Sequence, residues 1–226
     1  MIIAERKPIK EIEKMIMPYK KVLIVGCNTC VTICMAGGEK EVDILASSLN
    51  LLFKSKHKEI EFIKRVVERQ CEKEFVEELK EDIASVEAVL SLGCGVGVQK
   101  IVEVFPHIPV YPGLNTKSIG APEEEGVWKE KCVACGDCIL DKTGGICPIA
   151  RCSKKLLNGP CGGSQDGKCE IDKNLDCAWQ LIYDRLKLLG KLDQLEEIIP
   201  VRDWSKANDG GPREVIREDV RLKNGK

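Results

Sequence analysis

Residues Lys131 to Cys177 read KCVACGDCILDKTGGICPIARCSKKLLNGPCGGSQDGKCEIDKNLDC. Eight of the chain's 13 cysteines fall in this stretch: Cys132, Cys135, Cys138, Cys147, Cys152, Cys161, Cys169 and Cys177. Its apolar residues are few and scattered, too few to offset the entropy of ordering the segment. Ligation by thiolates can supply the difference, at roughly 10–16 kcal/mol for a structural site. Cys132, Cys135 and Cys138 form C-x2-C-x2-C, and Cys147 precedes Pro148. This is close to the bacterial ferredoxin run, with eight residues instead of three between the third cysteine and the Cys-Pro pair. Three closely spaced thiolates can wrap one corner of a 4Fe-4S cubane while a distant cysteine closes it. Zinc is the alternative, and it usually shows paired knuckles, often with histidine. Here the later cysteines are spaced more widely and neither histidine lies in the segment. Cys132, Cys135 and Cys138 therefore read as iron–sulfur ligands. Cys147, Cys152, Cys161, Cys169 and Cys177 read as ligands of iron–sulfur or of zinc. A disulfide framework would need an oxidising, secreted setting.

Cys27, Cys30, Cys34, Cys71 and Cys94 form a second constellation. Cys27 ends the run KKVLIVGC, Cys94 ends EAVLSLGC, and Cys71 follows EIEFIKRVV. If these runs are parallel strands, three chain-distant thiols converge on the crevice beyond their carboxyl ends. Cys30 and Cys34 would share a face if a helical turn forms between them. A cubane takes four ligands, so a cluster here leaves one of the five as a packed structural thiol. A redox dithiol of Cys27 and Cys30 is the rival reading. Gly37, Gly38, Gly93, Gly95 and Gly97 belong to the same edge. GCGVGV lacks the full dinucleotide fingerprint, so these glycines read mainly as admitting close approach of backbone to a cluster. A flavin or nucleotide is the lesser alternative.

The elements that must position these thiols alternate. Residues 8 to 19 carry Ile9, Ile12, Met15 and Ile16 at helical spacing behind Pro8. KKVLIVGC reads as a buried parallel strand, and CNTCVTICMAGGEKEV as a loop. EVDILASSLNLLFKSK reads as a helix with Val42, Ile44, Leu45, Leu49 and Leu52 on its apolar side. EIEFIKRVV, EAVLSLGC and IPVYPG are further strands. EKEFVEELKEDIAS is a helix with Phe75, Val76, Leu79 and Ile83 inward, and GVQKIVEVF is a short one. The alternation predicts an α/β domain over 1–113, a small doubly wound parallel sheet of flavodoxin or Rossmann type. In it the first strand is flanked by the second and third. Residues 114–130 lack period and read as a linker. The cysteine module and a helix follow over 131–199, the helix carrying Trp179, Ile182, Leu186 and Leu189 on one side and broken at Gly190. Residues 200–226 read as a polar tail with Trp204 as an isolated anchor, disordered or docked on a partner.

Composition narrows the function. Net charge is −1, with no concentrated basic surface to bind nucleic acid. Aromatic content is 4%, too little for base-stacking platforms. The start, MIIAERKPIKEIEKMIM, is too charged for a signal-peptide core, and no apolar run is long enough to cross a membrane. Thirteen cysteines in that context point to the cytoplasm and to metal chemistry. His57, within SKHKE, and His107, within FPHIPV, read as loop residues. No acid–base constellation stands out, so no catalytic residue is assigned.

The segments CVACGDC, GGICPIARCSKKLLNGPCGG, GKCEID and DCAWQLIYDRLKLLGKLDQL resemble the C-terminal domain associated with methylenetetrahydrofolate reductases. In acetogens a separate small subunit of this kind pairs with the flavin subunit of that enzyme. CNTCVTICMAGGEKEV and SLGCGVGVQ also resemble that subunit. No segment resembles the folate- and flavin-binding barrel, which alone takes about 250 residues. The resemblance implies an iron–sulfur subunit with two or three 4Fe-4S clusters, and zinc as a further candidate. It would relay electrons from a donor protein to flavin on a partner chain, where methylene-tetrahydrofolate becomes methyl-tetrahydrofolate. It would not be catalytic alone. The alternative is a zinc-stabilised assembly scaffold for that complex, or for a corrinoid-linked one, with no redox role.

Overall fold

In a computed structural model, which describes residues 1–207 with Glu214, Val215, Arg217 and Asp219, the chain divides into two units, Met1–Lys129 and Glu130–Lys226. The first contains strands β1 (Ile2–Arg6), β2 (Lys21–Cys27), β3 (Glu61–Val67), β4 (Ala88–Ser91), β5 (Val110–Pro112), β6 (Leu114–Glu124) and β7 (Val127–Cys132), the last ending just past the division. Its helices are α1 (Ile9–Ile16), α2 (Cys30–Ile33), α3 (Glu39–Ser55), α4 (Lys73–Glu77), α5 (Lys80–Ala84) and α6 (Gly95–Val104).

The parallel sheet has the order β3-β2-β4-β5, so the first strand of the alternating pattern is flanked by the second and third. Lys21 to Cys27 pair with Glu61 to Val67 on one side, and Val22 to Val25 pair with Ala88 to Ser91 on the other. β2 is buried from Val22 to Cys27 because both faces of the sheet are covered, which is why its sequence is a continuous apolar run. Val22 and Ile24 pack with Ile12, Ile16, Val42, Leu45 and Leu49. Leu23 and Val25 face the other way and pack with Val76, Leu79, Ile83 and Ile101. Two cores on opposite faces of one sheet make the unit doubly wound.

Several expectations are corrected. Residues 114–124 and 127–132 are strands, not an aperiodic linker, and with β1 they make a three-stranded sheet of order β1-β6-β7. β1 runs antiparallel to β6, from Ile2 opposite Ile119 to Arg6 opposite Leu114, with an irregularity between Ile3 and Ala4. The apolar side of α3 is Val42, Leu45, Ala46, Leu49 and Phe53; Ile44 is 46% exposed because it lies two residues from Val42, on the far side of the helix. The expected helix over EKEFVEELKEDIAS is two, α4 and α5, parted where the Leu79 amide bonds the Val76 carbonyl in a tighter turn (3.1 Å). The stretch read as a loop after β2 contains the single helical turn α2.

The second unit has little regular structure: α7 (Pro148–Arg151), α8 (Ala178–Leu188) and 3-10 turns at Leu192–Glu196 and Trp204–Lys206. Its principal apolar cluster is Trp179, Ile182 and Leu186, backed by Ile146, Cys152, Leu156, Cys177 and Leu192. α8 ends at Leu189, and Gly190 takes φ +66°, the left-handed conformation that stops helices at low cost. Leu189 is exposed rather than part of the buried stripe. The tail begins docked, not free. Asn158 donates to the Ile199 carbonyl (2.9 Å) and accepts from the Ile199 amide (2.7 Å), and Arg202 and Ala207 are buried. Most of the expected tail beyond Ala207 lies outside the described residues.

Candidate cysteine sites

In the first unit, β2 ends at Cys27 and α2 begins at Cys30. Cys94 is the N-cap residue of α6. Cys71 lies beyond β3. Burial pushes the Cys71 thiol up, and Cys27 and Cys94 push it further. Cys27 and Cys94 each lie within electrostatic reach of Cys71 at the carboxyl edge of the parallel sheet. Cys30 stands three residues beyond Cys27, on the same edge of the chain path.

Cys34, like Cys27 (7% exposed), is buried within the apolar core, at 5% exposure. Its thiol donates to the Ile2 carbonyl on β1 at 3.2 Å, and burial pushes it up. The helical turn does form, with the Cys34 amide bonding the Cys30 carbonyl (3.1 Å). The Cys34 thiol is thus turned to β1, whereas the Cys27 sulfur meets the Thr29 hydroxyl at 3.4 Å and the Glu68 carbonyl at 3.8 Å. Cys34→Ala should therefore leave the iron content of the anaerobic protein unchanged; loss of iron from that variant would return Cys34 to the ligand set.

A buried polar network under this edge has no counterpart in the sequence reading. Gln70, beside Cys71, is almost fully enclosed. Its amide donates to the Val25 carbonyl at 2.9 Å, and the Ser91 hydroxyl donates to its oxygen at 2.5 Å. The Gly93 amide in turn bonds the Ser91 hydroxyl at 3.1 Å. Gln70 thus ties the Cys71 loop to the ends of β2 and β4, where Cys27 and Cys94 lie. A Cβ on Gly97 would come within 2.7 Å of the Gln70 Cβ, so the close approach requires glycine. On the other side, the Gly95 amide at the start of α6 donates to the Thr116 hydroxyl of β6 at 2.9 Å. Gln70→Met keeps the volume but leaves the buried Ser91 hydroxyl without its acceptor, while the Val25 carbonyl keeps the Leu92 amide. It should cost about 1–3 kcal/mol, read as faster hydrogen exchange of β2 and β4 amides.

In the second unit, Cys152, Cys161, Cys169 and Cys177 all line one narrow cavity, with Glu170 and Trp179. The Cys169 thiol is held below its ordinary value by the Ser153 hydroxyl and by the Ile171 and Asp172 amides, donors suited to a thiolate. Cys177 is the N-cap of α8, and its amide bonds the Gly167 carbonyl at 2.7 Å. Trp179 anchors the wall by donating to the Leu156 carbonyl at 3.0 Å. Cys147, the N-cap of α7, does not line this cavity.

Cys132, Cys135 and Cys138 occupy the start of the unit, with Cys135 buried between two exposed neighbours. The Arg202 guanidinium reaches in from the tail and donates to the Cys135 sulfur at 3.3 Å and to the Asp137 carbonyl. Its Nε and other terminal nitrogen are buried without a partner. Gly136 takes φ +79°, and a Cβ there would strike the Lys206 backbone carbonyl, so the tail lies directly on this knuckle. Trp204, expected to stand alone, lies under the Arg202 guanidinium, 5.6 Å from ring centroid to carbon.

Among the described residues, no group of three or more His, Cys, Asp or Glu side chains is gathered as around a single metal ion. The thiols fall into chain-distant sets nonetheless, and the donors facing them suit anionic sulfur. Donors of that kind face the Cys169 and Cys135 sulfurs, and thiols in such sets have the chemistry of cluster or zinc ligands. His57 and His107 are both exposed, as loop residues should be. Among the described residues, no helix is long and apolar enough to cross a membrane.

Residues 111–205 match a protein family described as methylene-tetrahydrofolate reductase C terminal. The match takes in all eight carboxy-terminal cysteines, α8 and Arg202, and leaves residues 1–110 outside. That part of the chain is similar to this family. No curated protein and no solved structure matches the chain significantly.

Proposed function

We propose that this chain is the cytoplasmic electron-transfer subunit of a methylenetetrahydrofolate reductase complex of the acetogen type. It takes electrons from a donor protein and relays them to flavin on a partner chain, which reduces methylene-tetrahydrofolate to methyl-tetrahydrofolate. The observation that supports this reading is that Cys27 and Cys94, from chain-distant strand ends, each lie within electrostatic reach of Cys71 at one sheet edge. Nothing local in the sequence calls for cysteine at all three. Cys27, Cys30, Cys71 and Cys94 would hold one 4Fe-4S cluster, and Cys132, Cys135 and Cys138, closed by Cys147, another. Cys152, Cys161, Cys169 and Cys177 would hold a third cluster or zinc. Bound clusters supply one-electron transfer; the hydride chemistry belongs to the partner's flavin. This chain's own residues set the positions of the thiols: Gln70 fixes the Cys71 loop, Thr116 holds the start of α6 behind Cys94, and Asn158 fixes the tail against the second unit.

Anaerobically purified protein should be brown, contain iron and acid-labile sulfide, and bleach on reduction. Colourless protein with stoichiometric zinc and no sulfide would sink the redox reading. It would favour the second one, a zinc-stabilised assembly scaffold for this complex or a corrinoid-linked one, which the four cysteines around one narrow cavity also suit.

A further inference from the structure

Arg202 is 8% exposed, the only arginine or lysine buried among the described residues. A buried charge is strongly unfavourable unless paired, and Arg202 forms no ion pair with a described residue. One terminal nitrogen meets the Cys135 sulfur at 3.3 Å and the Asp137 carbonyl. The other two guanidinium nitrogens are enclosed and have no partner. The side chain is not there by looseness of the tail. Asn158 grips Ile199 on one side of it, Gly136 packs on the Lys206 backbone on the other, and Trp204 lies against its face. Two guanidinium nitrogens are therefore held in a dry place beside a cysteine, with no acceptor among the described residues.

A cubane held by four thiolates is anionic, and gains one further negative charge on reduction. Its sulfurs accept hydrogen bonds, and such bonds and nearby charge set its potential. We infer that Arg202 is the counter-ion and potential-setting residue of the cluster ligated by Cys132, Cys135 and Cys138. The inference rests on the electron-transfer reading and assigns that cluster a rank within the relay. The guanidinium keeps its proton throughout, so the step is one electron in and one out, with no bond made or broken. A low-potential one-electron carrier protein supplies the electron, and the partner's flavin receives it. Because Arg202 stabilises the reduced form, this cluster is easier to reduce than it would be without the arginine.

The test is an anaerobic redox titration of the full chain followed by EPR, with metal analysis alongside. Arg202→Gln should retain its iron and lower the reduction equilibrium of one cluster about tenfold, about 59 mV for one electron, leaving the other potentials unmoved. Arg202→Lys keeps the charge but loses the fork, and should recover part of the shift. Cys135→Ser should abolish the same signal that Arg202→Gln moves. Unmoved potentials in Arg202→Gln with full iron overturn the inference, as does a shift confined to a signal that survives in Cys135→Ser. If Arg202→Gln sheds iron, Arg202→Lys decides: a retained cluster of lowered potential supports the role, and an unmoved one overturns it. Wild-type protein without iron or sulfide refutes the electron-transfer reading itself, and the metal analysis reports that separately.

Discussion

Stripping metal from the protein should unfold residues 131–177 and leave the parallel sheet protected. The two units differ in what holds them. The first has a core on each face of its sheet, from Ile12, Leu45 and Phe53 on one side to Leu79, Val89 and Ile101 on the other, all nearly inaccessible. The second relies mainly on Trp179, Ile182 and Leu186. Burial of three such side chains gives only about 1.5–3 kcal/mol each, against about 1–2 kcal/mol of backbone entropy for every residue ordered. Ligation at roughly 10–16 kcal/mol per structural site exceeds what that small cluster contributes. Hydrogen exchange measured before and after chelation or oxidative cluster loss reads the outcome directly. Amides of 131–177 should lose protection by orders of magnitude, while those of β2 and β4 change little. Equal protection of the second unit with and without metal would falsify ligand-driven folding.

Cys94→Ser should remove about four irons per chain, since a cubane holds four, without unfolding the first unit. Cys94 is the N-cap of α6, and serine is among the residues preferred there, so helix initiation survives the change. The Gly95–Thr116 bond and the Gln70–Ser91 network do not involve the Cys94 sulfur and should persist. Reduction by an external protein donor should slow, while artificial donors still reduce the partner's flavin directly. Full iron content in Cys94→Ser would show that Cys94 is a packed thiol. The edge would then be left to a Cys27–Cys30 dithiol or to no ligand.

The strands of the parallel sheet and their order were legible because burial on both faces leaves an unbroken apolar run, as in β2, and because crossover handedness limits the arrangements. β1 and β6 were not. Their residues lie on a partly solvated sheet, and LNTKSIGAPEE carries no sustained alternation. Pairing of residues so far apart in the chain has no local signature. The convergence of Cys27, Cys71 and Cys94 followed from topology alone. The bond of the Cys34 thiol to the Ile2 carbonyl depends on the unforeseen sheet. Gln70 and Arg202 were invisible for another reason. A polar residue next to a strand end, or in a polar tail, is ordinarily solvated. Only the packing around it shows that it is enclosed.

The pairing of β1 with β6 also orders events during synthesis. Ile2 leaves the ribosome before its partner Ile119, by more than a hundred residues. At about 5–20 residues per second, β1 waits on the order of ten seconds as an unpaired edge. All five amino-terminal cysteines emerge within that interval. Thr116, which fixes the start of α6 behind Cys94, arrives after every one of them. A nascent chain stalled before residue 114 would therefore present those thiols without β6 to hold the start of α6.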